Sequence, residues 1–306
     1  MKILLTGAAG QLGQELLPQL ASLGAVTGVG REPLPGCKDI LQQDLAQPAA
    51  VETLLGRIRP DIIVNAAAYT AVDPAEDNRD TAFTLNAALP AQLARWAAAN
   101  GSLVLHYSTD YVFPGTGNRP YTEDDRPAPL NVYGASKLAG EAAIMSSGCR
   151  YLLLRTSWVY SGHGSNFVLT MLRLAAERPA LGIVNDQLGC PTWARNLAGV
   201  SKKILAQAVS GTDGDRLLGL YHYCDGGEVS WFDFAQSVFA IAMETGLLSK
   251  LPEVTAVASA DFPQKAERPK YSVLDVSHTL RTFGLERPGL HESLRQCLGE
   301  MTNATN

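Results

Sequence analysis

Met1-Lys2-Ile3-Leu4-Leu5-Thr6-Gly7-Ala8-Ala9-Gly10-Gln11-Leu12-Gly13 opens the chain, and its reading decides the fold. Lys2 to Thr6 is a short, nearly continuous apolar run, as expected of a strand buried on both faces. Three glycines follow at G-x-x-G-x-x-G spacing, and helical spacing then runs from Gly10 to Leu23. Gly7 permits a tight turn, Gly10 lets a pyrophosphate approach the backbone, and Gly13 lets the helix pack against the strand. The start of that helix offers free N–H groups and a positive dipole end to phosphate. The loop, with Gln11 and Leu12 between its last two glycines, is therefore a candidate dinucleotide site.

Outward from this unit the alternation continues. Strands are predicted at Ala25–Val29, Asp39–Gln42, Asp61–Asn65, Leu103–Tyr107 and Tyr151–Arg155. Helices are predicted at Pro48–Arg57, Thr81–Ala99 and Val132–Met145, the second stopped by Asn100-Gly101. Strands alternating with helices imply a doubly wound α/β fold, a parallel sheet of Rossmann type covered on both faces. After about residue 160 glycine and proline become frequent, and the helices Phe167–Glu177 and Trp231–Thr245 stand between irregular stretches. The expected division is a dinucleotide-binding domain over 1–160. A smaller, mainly substrate-binding region over 161–306 follows, with a soft boundary that the chain recrosses.

Bulk properties narrow the function. The 306 residues carry a formal charge of −5, which argues against nucleic acid as a partner because phosphate binding needs a basic surface. Five widely spaced cysteines without a C-x-x-C pair suit reduced thiols better than a disulfide framework. The first apolar run is too short for an export signal, and no stretch reaches the roughly 20 apolar residues that span a bilayer. The expectation is a cytoplasmic protein without membrane attachment.

The second strand ends beside Arg31. A free ribose usually meets an acidic residue there and a 2′-phosphate an Arg, so Arg31 favours NADPH, with NADH the alternative that the adjacent Glu32 keeps open. Tyr133 and Lys137, four apart in a helical segment, share one face. A phenol near its ordinary pKa of about 10 is a poor acid at neutral pH, and a neighbouring ammonium lowers it. Tyr133 can then give a proton to a carbonyl oxygen that is receiving hydride. Ser108-Thr109-Asp110 ends a strand where doubly wound sheets place ligands, and a hydroxyl there, Thr109 before Ser108, can hydrogen-bond the same oxygen. Asn65-Ala66-Ala67-Ala68 ends the preceding strand with small side chains that leave room for a flat cofactor.

Together these residues resemble the extended short-chain dehydrogenase/reductase family over most of the first half. The strings 108–115, 129–134, 155–160 and 185–192 narrow the likeness to reductases of dTDP-linked 4-keto sugars and carry it to about residue 192. The resemblance implies that Asp44 and Leu45 contact the adenine, that Ala66, Ala67 and Ala68 line the cofactor groove, and that Asn86 lies on the helix under the site. It also implies a catalytic set of Thr109, Tyr133 and Lys137, with Asp110 and Trp158 beside the sugar and Gln187–Thr192 along the cleft. Some relatives hold a metal at a dimer interface through a Glu after Pro-Thr-x-Ala. Here that position is Arg195, so although a homodimer is compatible with the sequence, a metal-bridged one is not expected and no metal is assigned. Two other readings stay open: a non-catalytic, cofactor-binding regulatory subunit, and a sugar-nucleotide epimerase or dehydratase. For the latter, Asp110-Tyr111 stands where the dehydratases usually carry Asp-Glu.

Overall fold

A computed structural model describes residues 1–32, 40–210 and 214–305. Seven parallel strands form the central sheet: β1 (Lys2–Thr6), β2 (Ala25–Gly30), β3 (Ile40–Gln42), β4 (Ile62–Asn65), β5 (Leu103–Thr109), β6 (Arg150–Thr156) and β7 (Gly219–His222). Their spatial order is β7-β6-β5-β4-β1-β2-β3. The order reverses between β1 and β4, and in such sheets the crevice at the carboxyl ends of those two strands takes ligands.

Alternation along each strand builds two cores. Ile3 and Leu5 of β1, Ile62 and Val64 of β4, and Leu103 and Leu105 of β5 face one layer, containing α1 (Gln11–Leu20) and a helix at Ala194–Val209. Leu4, Ile63 and Val104 face the other, containing α2 (Pro48–Ile58), α3 (Leu89–Asn100) and α4 (Val132–Met145). Both faces are thus covered, as the unbroken apolar strands require. A separate core lies beyond residue 157, where α5 (Phe167–Glu177) packs with helices at Trp231–Glu244 and Leu290–Thr305. Between visits to that core the chain returns to the sheet, because the Ala194–Val209 helix lies on α1 and β7 extends the sheet beside β6.

Several elements differ from the sequence reading. Asp39 lies outside the described residues, and β3 begins at Ile40. The single helix expected over Thr81–Ala99 is a helix at Arg79–Phe83, a π-turn at Thr84–Ala88 and then α3. Pro90 has no N–H to close onto the Asn86 carbonyl, so the regular ladder breaks there. α4 uses the gap: a Cβ on Gly140 would lie 2.1 Å from the Asn86 carbonyl oxygen. β5 runs two residues further than expected, to Thr109, and β7 was not anticipated because Gly219–His222 is a short segment in a glycine-rich stretch.

Candidate active site

The glycine loop has the shape its spacing demands. Gly7 has φ +69°, and a Cβ there would sit 2.6 Å from the Ala67 nitrogen; a Cβ on Gly13 would sit 2.1 Å from the Gly7 carbonyl oxygen. Gly10 is exposed and caps α1 without any side-chain bond to the helix. The first N–H groups of α1 therefore remain available, which fits a pyrophosphate. Leu12 packs its side chain into the core. Gln11 turns its side chain the other way, donating to the Val159 carbonyl at 3.0 Å and accepting from Ser161 at 3.0 Å and Asn166 at 2.6 Å. That amide ties the loop to the start of the second core. Arg31 is exposed at the end of β2 with Glu32 3.8 Å away. Asp44 follows β3, exposed, with its carboxylate accepting from the Ala46 N–H, and Leu45 rests on the second layer's core. Ala66, Ala67 and Ala68 follow β4, half-buried, against Gly7.

Beneath the loop lies a buried polar chain that sequence reasoning missed. Thr6 donates to Asn65 at 2.6 Å, and Asn65 reaches His106 Nδ1 at 2.9 Å. Burial, aided by the charge of Lys137, pushes His106 well below its ordinary pKa, so the imidazole is neutral at pH 7. The signal was present as polar residues at or near the ends of otherwise apolar strands. Asn86 also locks the floor: it accepts from the Tyr69 N–H at 2.8 Å and donates to the Tyr69 carbonyl at 2.9 Å and to Ser136 at 3.0 Å.

The structure brings Thr109, Tyr133 and Lys137 together. Asn131 caps α4 by accepting from the Gly134 N–H at 2.8 Å, and a Cβ on Gly134 would lie 2.2 Å from the Tyr111 carbonyl oxygen. The helix start is thereby pressed onto the end of β5. The Tyr133 hydroxyl is within hydrogen-bonding reach of Thr109, and its ring meets Tyr111 edge-on at 5.9 Å. Thr109 donates to Asp110 Oδ1 at 3.0 Å, whereas the Ser108 hydroxyl is buried without a partner among the described residues. Successive strand residues point to opposite faces, which separates Ser108 from Tyr133.

One expectation is corrected. Lys137 was expected to lower the Tyr133 phenol, but its buried ammonium donates to the Tyr107 carbonyl at 2.6 Å. Burial pushes Tyr133 up to about 12, with Thr109 pulling the other way and the Asp110 charge adding to the rise. Burial also draws Lys137 down to about 8 against the charge of Glu141. Desolvation dominates at Tyr133, and the phenol holds its proton at neutral pH.

Asp110 is buried beside this pair, and its Oδ2 has no partner among the described residues. Burial pushes its carboxyl up to about 7, opposed by bonds from Ser272 and Thr109. Trp158 holds φ +44°, rare for a bulky residue and a mark of a position fixed by its surroundings. It stacks on Trp231 with ring centroids 3.4 Å apart, and a Cβ on Gly189 would lie 2.4 Å from its ring. A cavity of about 430 Å³ adjoins this stack, lined by Phe167, Gln187, Trp231 and Arg268. Thr109 and Tyr133 do not line it. The link between the two is Arg268, which bonds Asp73 at 3.0 Å and the Tyr111 hydroxyl. Trp231 and Arg268 escaped the sequence reading because no local spacing joins them to the motifs.

Arg195 bridges Glu15, at 2.9 Å, and Glu300. Glu15 also meets His163 at 2.9 Å. Burial would raise the Glu15 carboxyl, but His163 and Arg195 together hold it below the usual range. A guanidinium already satisfies these carboxylates, so the donor set does not fit a divalent ion.

The sheet order, the glycine loop at the switch point and the Tyr133–Thr109 contact define the class: a dinucleotide-binding reductase of the extended short-chain dehydrogenase/reductase kind. The chain belongs to the family described as the RmlD substrate binding domain, which matches residues 1–303. It is 42% identical to the dTDP-4-dehydrorhamnose reductases of Salmonella typhimurium and of Escherichia coli K12, over 100% of this chain and 99% of each relative. The crystal structure of dTDP-4-dehydrorhamnose reductase from Bacillus anthracis in complex with NADP superposes with a TM-score of 0.83 at 35% identity, covering 98% of this chain and 99% of that one.

Proposed function

We propose that this chain reduces the C4 ketone of dTDP-4-dehydro-L-rhamnose to the alcohol of dTDP-L-rhamnose with NADPH. The observation that carries the reading is the contact between the Tyr133 and Thr109 hydroxyls at the carboxyl end of β5, in the sheet that carries the glycine loop at its switch point. NADPH supplies the hydride when bound. Gly7, Gly10, Gln11, Leu12 and Gly13 hold the diphosphate at the start of α1, Arg31 meets the 2′-phosphate, and Asp44 and Leu45 border the adenine. Ala66, Ala67 and Ala68 leave a flat groove beside Gly7. Tyr133, protonated at neutral pH, donates to the ketone oxygen as charge develops there, and the Thr109 hydroxyl turns its proton from Asp110 to the same oxygen. Lys137, charged below about pH 8, holds the ribose and supports the phenolate once the proton has gone.

Residues 161–306 mainly supply the sugar-nucleotide side. Asp110 and Trp158 border the sugar, and the cavity lined by Trp231 and Arg268 extends that side with an aromatic wall and a cation suited to a nucleotide. The site is read as cytoplasmic. Any homodimer would assemble without a bridging metal, since Arg195 supplies the positive charge between Glu15 and Glu300. No helix among the described residues is long and apolar enough to cross a membrane.

The test is turnover of dTDP-4-dehydro-L-rhamnose against other 4-keto sugar nucleotides, each with NADPH and NADH, followed by cofactor absorbance. Preference for the rhamnose precursor with NADPH is expected. Absence of NADPH consumption with every keto sugar would favour a binding subunit, and tightly retained NAD would favour an epimerase.

A further inference from the structure

Cys190 lies between the short strands Leu188–Gly189 and Thr192–Trp193, and Cys224 follows β7. Both are buried, and their sulfurs gather round one atom of the same guanidinium. Arg287 closes the cluster. Its Nη2 lies 3.2 Å from the Cys224 sulfur and 3.7 Å from that of Cys190, and its guanidinium also donates to the carbonyls of Cys224 and Asp225. Among the described residues no carboxylate pairs with this half-buried cation. A cation so placed favours a thiolate. The hydrogen bond from Cys224, with Arg287, holds the Cys190 thiol below its ordinary value, while the same bond and burial push Cys224 well up. The pair thus sets the more acidic thiol of Cys190 beside the less acidic one of Cys224.

Access and context single this pair out. A cavity of about 310 Å³ is lined by Cys190, Arg287, Glu228 and Leu274, so a small oxidant reaches Cys190 without unfolding. Cys149 and Cys297, the other free cysteines among the described residues, are both pushed up by burial.

We propose that Cys190 and Cys224 are an oxidisable dithiol, a modification site that takes hydrogen peroxide and closes to a disulfide. The Cys190 thiolate attacks one peroxide oxygen, the O–O bond breaks, and hydroxide leaves, giving a sulfenic acid. The Cys224 sulfur then attacks the sulfenic sulfur. The S–O bond breaks, and the oxygen leaves as water with the Cys224 proton. Two thiols lose two electrons and two protons, and peroxide becomes two waters.

Closure has a consequence for the neighbouring cleft, and this second part rests on the proposed function. The Cys190 carbonyl accepts from Ser157 at 2.5 Å, and Gly189 packs on Trp158. Drawing the sulfurs to about 2.05 Å pulls that segment and alters the sulfur contacts of Arg287. The sugar side is displaced while Thr109 and Tyr133 stay in place.

The experiment treats the full-length protein with hydrogen peroxide, caps the remaining thiols and maps disulfides by peptide mass spectrometry. A Cys190–Cys224 crosslink that dithiothreitol reverses is expected, absent in C190S and in C224S. Sulfinic acid at Cys190 without a crosslink, a crosslink through Cys149 or Cys297, or no oxidised thiol would each overturn it. The map on the unmutated protein decides the matter even if a variant fails to fold, and it requires no turnover, so it stands or falls apart from the reductase reading. With the crosslink in hand, a several-fold rise in KM for the keto sugar with kcat little changed is expected. An unaltered KM would overturn the effect on the cleft.

Discussion

Replacing Tyr133 by Phe removes one oxygen and leaves the ring, so two effects of different size can be separated. The edge-on contact with Tyr111 at 5.9 Å survives. Thr109 loses one neighbour but keeps Asp110 Oδ1 at 3.0 Å and the Tyr111 N–H at 3.2 Å. The structural cost is therefore one buried hydrogen bond, about 0.5–1.5 kcal/mol. The chemical cost is the loss of a positioned proton donor, roughly 10²–10⁴-fold in kcat, or about 3–5 kcal/mol of barrier. Among the described residues nothing in the glycine loop or around Arg31 touches the phenol, so NADPH affinity should change by less than about threefold, the pattern of an interaction made only in the transition state. The measurements are steady-state NADPH consumption with the keto sugar, NADPH binding by fluorescence, and thermal unfolding. If cofactor affinity falls in step with turnover, or if kcat drops by less than about tenfold, Tyr133 is not the acid.

Other outcomes follow from the same geometry. Lys137 is drawn down to about 8, so its charge is present below that pH and lost above it; kcat/KM should fall as pH rises through about 8, and Lys137→Arg, which stays charged, should move that limb out of range even if it lowers the rate. Arg155 donates to Glu141 at 2.9 and 2.7 Å with both side chains buried. Glu141→Gln leaves that cation without its counterion and should cost about 3–5 kcal/mol in urea unfolding with the slope unchanged, and a cost under about 1 kcal/mol would show that the pair behaves like a surface one. Because Arg195 already bridges Glu15 and Glu300, a chelator should leave turnover and oligomeric state unaltered; a chelator-sensitive rate would mean that a cation binds elsewhere.

The sequence by itself determined what depends on near neighbours. A strand, three glycines and a helix occupy one continuous stretch, so the phosphate cradle could be read from spacing alone. Tyr133 and Lys137 share a face because a helix turns every 3.6 residues, and Leu103–Tyr107 reads as a buried strand because parallel sheets hide both faces. Tertiary structure alone decided what depends on distance along the chain. β7 joins the sheet beside β6, Arg287 reaches Cys190 and Cys224, Arg195 reaches Glu15, and Trp231 covers Trp158, each across a separation that carries no periodic signal. It also decided the charge state of the phenol. Spacing predicts an ammonium nearby, but only the packed site shows that the ammonium bonds the Tyr107 carbonyl and that loss of water around Tyr133 raises the phenol.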